Sequence, residues 1–444
     1  MPTKNSFTAL GVSRRAFMHS MGLLGAGGLL AAYGGHGSRA LASTDVNLDF
    51  AVWTYAVDEV ESNIRAWEAA NPGMTVTLQD YPWDHYKATM VQRLATNTPT
   101  DVLYNNSSWL AEFVGADWVV PISKYLDFEK YRDKIIPYAL SGMTYNGEPY
   151  GLPYYADIAS FIWNPTVAKE YGVDRAPTSW DEVMEMSVSM QGKGLRRPIL
   201  WEFSQINPSS LDEFIAMSMS RGGEVFDADL NPIFEDPDSP AFQQAQFMAD
   251  TIEQGLAATS PTENDAVRAM NSGQHVFTCM YNYNLAAMNN TGQPLAGQFK
   301  LAMMPGSTRA TLGYVRFYSI TSMAEARGDA VTAAAGNFIE SMGGAPDGTF
   351  TIPKKWAINR GLGFGVLPLF DDPEVIDAFS TWVDVETLKE QQKLAQTKNE
   401  AKWTGIWGDF MLRELSKIFA GETTVAESMK ASADKARELK ERYQ

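Results

Sequence analysis

From residue 48 the hydrophobic pattern switches between two periods. Leu48, Phe50 and Val52 recur at every second position, which predicts a strand over 48–53 with one buried face. Val60, Ile64 and Trp67 recur at helical spacing and predict a helix over 58–71, ended by Asn71-Pro72-Gly73. Met74 to Leu78 alternates again. Tyr86, Met90 and Leu94 mark a helix over 83–95, and Asp101 to Tyr104 a short third strand. Strand, helix, strand, helix, strand in this order predicts an α/β architecture with a parallel sheet and helices on its faces.

A second unit starts near Ile158, with a strand-like run to Trp163. Ser179-Trp180-Asp181-Glu182 reads as a capping box opening a helix that carries Val183, Met186 and Met190. Helices are expected around 211–221, 239–254 and 263–271, and strands at 275–281, 299–303 and 313–321. From Asp329 onwards the pattern is mostly helical, broken by the Gly/Pro-rich stretch 343–368. The mixed charges of 427–442 read as the solvated face of a terminal helix. Asp227-x-Asp229-x-Asn231 has the spacing of a calcium loop. Position six is Pro232 and position twelve Asp238, so a turn is the better reading.

The first 42 residues form an export signal on this reading. Ser13-Arg14-Arg15-Ala16-Phe17-Met18 matches the twin-arginine pattern, a weakly apolar Gly/Ala stretch follows, and Ala40-Leu41-Ala42 suits signal peptidase. Five glycines between Gly22 and Gly34 disfavour a stable membrane helix. The expectation is a chain freed into the periplasm, with no stable membrane insertion. Its formal net charge is −17, and about −21 once this basic segment is removed. Such acidity disfavours nucleic acid and anionic lipid as partners. Cys279 is the single cysteine and sits in an apolar run, so it reads as a buried, inert thiol. Beyond the signal only His85 and His275 remain, too few for a metal, haem or iron–sulfur centre, and no cofactor is expected.

Open α/β sheets bind ligands beyond the carboxyl ends of their strands. That rule nominates Trp53 and Tyr55 after the first strand and Asn105, Asn106, Ser107 and Trp109 after the third. It adds Tyr155 and Asp157 near 158, Tyr281, Tyr283 and Asn284 after 275–280, and Tyr314 and Arg316 further on. Aromatic faces and amide side chains suit a sugar or polyol, which offers a C–H face and a rim of hydroxyls. Trp53, Tyr155 and Tyr283 also fit a purely structural role as core aromatics. Arg316 has two functional readings: an ion pair with Asp157, or a contact to an anionic substituent of a ligand.

Several motifs stand in a telling order. Tyr145-Asn146-Gly147-Glu148-Pro149-Tyr150-Gly151-Leu152-Pro153 precedes Phe161-Ile162-Trp163-Asn164 and then Pro177-Thr178-Ser179-Trp180-Asp181-Glu182. Gly222-Gly223-Glu224-Val225-Phe226-Asp227 leads through Phe234 to Ser239-Pro240, and Met270-Asn271-Ser272-Gly273-Gln274 precedes an apolar strand. Together these resemble the extracellular solute-binding proteins of the maltose-binding-protein type, the sugar-binding subunits of ABC importers. The resemblance implies a two-lobed periplasmic-binding-protein fold, each lobe a central sheet flanked by helices, with the ligand cleft between them. It implies a first lobe of 43–155 plus 320–362 and a second of 158–312 plus 366–444. It also implies that Asp157 accepts sugar hydroxyls and that Trp403 supplies a stacking aromatic. The expected partners are a small carbohydrate-like solute and the importer's permease subunits, with the protein itself a monomer. Asn105 and Ser108 stand where the maltose-type pattern has an aromatic and a carboxylate, and Asn284 replaces a usual aromatic. A polyamine carrier of the same fold and an exported glycosidase are the competing expectations.

Overall fold

The computed structural model describes residues 45–205 and 207–443. The twin-arginine segment lies outside the described residues. The first three strands are β1 (Val46–Trp53), β2 (Met74–Tyr81) and β3 (Val102–Asn106). β1 pairs in parallel with both others, running from Val46 opposite Met74 to Trp53 opposite Tyr81. The helices Val57–Ala70 and Trp83–Ala95 make the crossovers, each burying its expected stripe: Val60, Ile64 and Trp67 in one, Tyr86, Met90 and Leu94 in the other. The strand–helix alternation read from the sequence is therefore present, with strand ends shifted by a few residues.

β4 (Thr144–Tyr145) and β5 (Glu148–Pro149) form a small hairpin. Its turn is Asn146-Gly147, both at positive φ (50° and 82°), as a tight two-residue hairpin requires. β6 (Leu152–Trp163) follows and is buried along all of its 12 residues. Only its second half, 158–163, matches the strand expected from the sequence. A strand covered on both faces carries no alternation to betray where it starts. β7 (Ile199–Glu202), β8 (Ala257–Ser260), β9 (Phe277–Tyr281), β10 (Lys300–Ala302), β11 (Thr311–Ile320) and β12 (Ala395–Gln396) complete the strands. β7 and β8 carry no strand signal, being short and flanked by strongly helical runs.

The main sheet runs β2-β1-β3-β11-β6-β9-β7-β8, with β10 beside β6 and β12 beside β11. β6 and β11 are its spine. The first part of β6 pairs with β11, Asp157 opposite Tyr314 and Tyr155 opposite Arg316. From Ala159 onwards β6 pairs with β9. β11 in turn pairs with β3, Arg316 opposite Asn106. A first half-sheet (β1, β2, β3) and a second (β7, β8, β9) thus hang on two antiparallel strands. Gly363 lies flush against this spine: a Cβ there would sit 2.1 Å from the carbonyl oxygen of Ala156.

The helical expectations hold at Pro208–Arg221, Pro240–Glu253 and Glu263–Met270. Ser179 caps Trp180–Gly192 by accepting from the Glu182 N–H (3.1 Å). Glu182 completes only part of the box, reaching back to the N–H of Thr178 rather than that of Ser179. The stretch expected as a break, 343–368, contains the helix Thr351–Arg360. Asp227 accepts from the N–H groups of Asp229 and Asn231, which makes the calcium-like spacing a turn. Cys279 is buried, and burial raises its thiol well above the usual range.

Candidate functional site

Alternation along paired strands puts directly opposed residues on one face. Tyr155, Asp157, Tyr314, Arg316 and Asn106 therefore share a face of the sheet where β3, β11 and β6 adjoin. The Arg316 guanidinium carbon lies 4.1 Å from the ring centre of Trp83 and 5.1 Å from that of Tyr314. Trp53 and Tyr155 follow at 5.5 Å each. Trp83 stacks on Trp109 (5.6 Å, 26°) and meets Trp53 edge-on (5.4 Å). On the other side the rings continue from Tyr155 to Tyr314, from Tyr314 to Tyr281 (4.5 Å) and from Tyr281 to Tyr283 (5.8 Å). Nominated residues from both half-sheets so form one aromatic path around Arg316.

Asp157 is fully buried. Its two oxygens accept the N–H groups of Ile158 (2.9 Å) and Tyr283 (3.1 Å). Burial, more than anything else, pushes its pKa up to about 7; those two bonds and the positive Arg316 oppose the rise. Among the described residues it makes no ion pair with Arg316, so the pairing considered for these two is not formed.

The second half-sheet contributes polar groups at the carboxyl ends of its parallel strands. Tyr283 donates to both oxygens of Glu263 (2.8 Å). Tyr281 donates to Asp212 (2.6 Å), whose other oxygen accepts from Lys398 (2.6 Å). Lys398 also pairs with Glu400 at 3.1 Å, and Glu400 lies near the Ser108 side chain. Glu202 and Glu213 are buried close by. Burial first, then the charge of Glu263, pushes Glu202 up to about 7. Burial holds Glu213 well above the usual carboxylate range, and its Oε1 has no hydrogen-bond partner. The Asn282 Oδ1 and Asn284 Nδ2 are likewise buried without partners. Buried polar atoms are normally satisfied; unpartnered ones also occur elsewhere, such as Ser187 Oγ and Ser432 Oγ, but these three lie near the carboxyl ends of the strands.

The remaining nominated residues lie apart from this centre or serve the fold. Asn105 is buried on the opposite sheet face, its amide donating to Ser319 (3.1 Å) and its carbonyl accepting from the Asn106 N–H. Asn106 caps the helix Ser107–Gly115, accepting from the Ser108 N–H, and Ser107 is that helix's first residue. Tyr55 is 41% exposed and stacks on Trp356 (6.4 Å). Trp403 is buried edge-on against Phe226 (5.6 Å). Trp83, 38% exposed, is absent from the residues nominated by sequence although it follows β2 as Trp53 ends β1; the strand-end rule reaches it. Glu202, Asp212, Glu213, Glu263 and Lys398 are absent too, because only the folded chain brings them together.

The bacterial extracellular solute-binding protein family matches residues 45–322. A putative binding protein of Brucella abortus is 26% identical over 130 residues, 29% of this chain and 31% of that protein. A probable ABC transporter-binding protein of Deinococcus radiodurans is 26% identical over 269 residues, 58% of this chain and 63% of that one. The chain thus spans less than two thirds of the length of these curated relatives. Among solved structures, the maltose-bound MalE3 of T. maritima superposes with a TM-score of 0.75 at 20% identity, covering 88% of this chain and 99% of that one. An ABC transporter solute-binding protein of Agrobacterium vitis with bound D-mannitol gives 0.69 at 18% identity, covering 89% and 99%. These likenesses show the fold: two lobes, each with a sheet flanked by helices.

Proposed function

The chain belongs to the bacterial extracellular solute-binding proteins, and from that premise we propose that it captures a small sugar, oligosaccharide or polyol for an ABC importer. One observation carries this reading: buried polar atoms without partners (Glu213 Oε1, Asn282 Oδ1, Asn284 Nδ2) gather at the same sheet ends as a run of aromatic faces. A polyol supplies what both lack, hydroxyls for the orphaned atoms and C–H faces for the rings. Solved structures of the same fold include proteins described with maltose and with D-mannitol, which fits this chemistry.

The lobes proposed are 43–155 plus 320–362 and 158–312 plus 366–444, and the register along β6 and β11 supports that division. The ligand lies between them, touching Trp53, Trp83, Trp109, Tyr155, Tyr281, Tyr283, Asn284, Tyr314 and Arg316. Export follows the twin-arginine route to the periplasm, where the protein works as a freely diffusing monomer and delivers solute to its permease. It acts as a carrier: Asp212 and Glu263 are engaged by tyrosines and a lysine, and both oxygens of Asp157 by backbone N–H groups.

Calorimetry and thermal shift on the purified protein against a sugar and polyol panel test this. A true ligand at a hundred times its Kd is expected to stabilise the fold by about 2.7 kcal/mol. If no sugar or polyol shifts the melting temperature, the carbohydrate reading falls. The acidic set of Glu202, Glu213 and Glu263 favours a second reading, a polyamine carrier. Stabilisation by spermidine with no response to sugars would select it.

A further inference from the structure

Arg316 enters the site from β11 in surroundings that leave its charge unanswered. The residue is only 9% exposed. Four rings lie around its guanidinium, Trp83 nearest at 4.1 Å. Among the described residues no carboxylate lies within ion-pair distance of it and no acceptor takes any of its N–H donors; its Nε is fully buried. Asp157 on the adjoining strand has both oxygens engaged by backbone N–H groups.

Magnitudes decide what this means. Withdrawing a guanidinium from water costs several kcal/mol even after relaxation. A cation–π contact returns roughly 0.5–2 kcal/mol. Rings lie around the guanidinium, and the buried Nε donor on its edge stays unpaired, at about 1–3 kcal/mol. The cage therefore holds Arg316 in place and keeps it charged, yet leaves its hydrogen-bonding edge without a partner. Asn106, the register partner of Arg316 on β3, caps the helix Ser107–Gly115, so the positive end of that helix begins on the neighbouring strand.

Resting on the reading that the protein captures a hydroxylated solute, we propose that the solute carries an oxyanion substituent, gripped edge-on by Arg316. Carboxylate, phosphate and sulfonate share the required pair of oxygens, and a planar carboxylate matches the guanidinium fork best. The substrate class is then an acidic sugar, with its hydroxyl rim turned to Asn282, Asn284 and Glu213 and its ring face on the tyrosines.

The test is calorimetry with matched pairs: D-glucose against D-glucuronate and D-glucose 6-phosphate, and D-galactose against D-galacturonate. At least one acid is expected to bind a hundredfold or more tighter than its neutral parent, and the phosphate arm separates phosphate from carboxylate. Arg316→Gln is expected to bring that ratio below about threefold while the melting temperature of the unliganded protein stays close to wild type. Equal affinity for acid and parent overturns the proposal, as does a ratio that survives Arg316→Gln. Should Arg316→Gln not fold, the ratio measured on the wild-type protein decides alone. Binding of neutral sugars with rejection of acids overturns this proposal and leaves the carbohydrate reading standing. Binding of neither class overturns both.

Discussion

At the carboxyl ends of β1, β2 and β3 the chain places Trp53, Trp83 and Trp109; at those of β7, β8 and β9 it places Glu202, Glu263, Tyr281 and Tyr283, with Asp212 and Glu213 on the helix after β7. The first region is a set of stacked and edge-on rings whose charged neighbour is Arg316. The second is a network of hydroxyls and carboxyls, several with pKa values raised by burial. Both regions are built by the same plan, parallel strands with crossover helices. The difference shows that the plan fixes where a site forms and leaves its chemistry to single side chains. In the proposed carrier the ring platform on one side would orient the solute and the polar rim on the other would read its substituents.

The largest expected effect comes from breaking the tie between these regions. Lys398 sits between Asp212 (2.6 Å) and Glu400 (3.1 Å), and Glu400 reaches Ser108 at the start of the helix after β3. All three charged side chains are at least four-fifths buried. Two buried carboxylates without their lysine repel each other and lack solvation. Lys398→Met is therefore expected to lower the unfolding free energy by about 3–5 kcal/mol. Urea denaturation measures it, and a loss under about 1 kcal/mol, the range of an exposed pair, would show that the relay does not hold the regions together.

The next effect sharpens the polar side alone. Glu202 is 2% exposed, and burial pushes its pKa up from 4.5 to about 7. Between those values the folded protein keeps a proton that the unfolded chain has released. Its contribution is thus fully present below about pH 4.5 and is lost as the pH rises to about 7. A tenfold change in proton affinity is worth about 1.4 kcal/mol, so Glu202 accounts for on the order of 3–4 kcal/mol of that fall. Glu202→Gln, which can still accept from Ser210 (3.0 Å in the wild type), is expected to flatten the decline between about pH 5 and pH 8. An unchanged slope in urea titrations would assign the decline to other groups, Asp157 and Glu213 first.

The two regions are not equally legible in the sequence. The ring platform follows from local signals. Leu48, Phe50 and Val52 mark β1, so Trp53 stands at a strand end, and the alternation of 74–78 leads in the same way to Trp83. The polar side depends on β7 and β8, four residues each, which no periodicity reveals. With those strands unseen, Glu202 looks like part of a loop. Asp212 and Lys398, 186 positions apart, have nothing in common until the fold joins them. Asn105 misses the site face for a simpler reason. One step along a strand reverses the direction of a side chain, and the strand-end rule fixes position without fixing face. The family motifs carry the two-lobe expectation further than any residue-by-residue pattern does.

The smallest effect separates platform from core within the aromatic region. Trp53 and Trp83 are 5.4 Å apart and both flank Arg316, yet Trp53 is 4% exposed and Trp83 38%. Truncating Trp53 removes packing against Tyr86 and Tyr104, and so confuses stability with binding. Trp83 already meets solvent, and its ring offers a face to a ligand as well as to Arg316. Trp83→Ala is expected to cost the unliganded fold less than about 1 kcal/mol, while a lost stacking contact weakens ligand binding by about 1–1.5 kcal/mol, near tenfold. Trp83→Phe keeps a ring and should recover most of that loss. Calorimetry with the best ligand of the sugar panel measures both variants. If alanine and phenylalanine weaken binding equally, Trp83 orients Arg316 rather than the ligand, and the platform begins at Trp109 and Tyr155 instead.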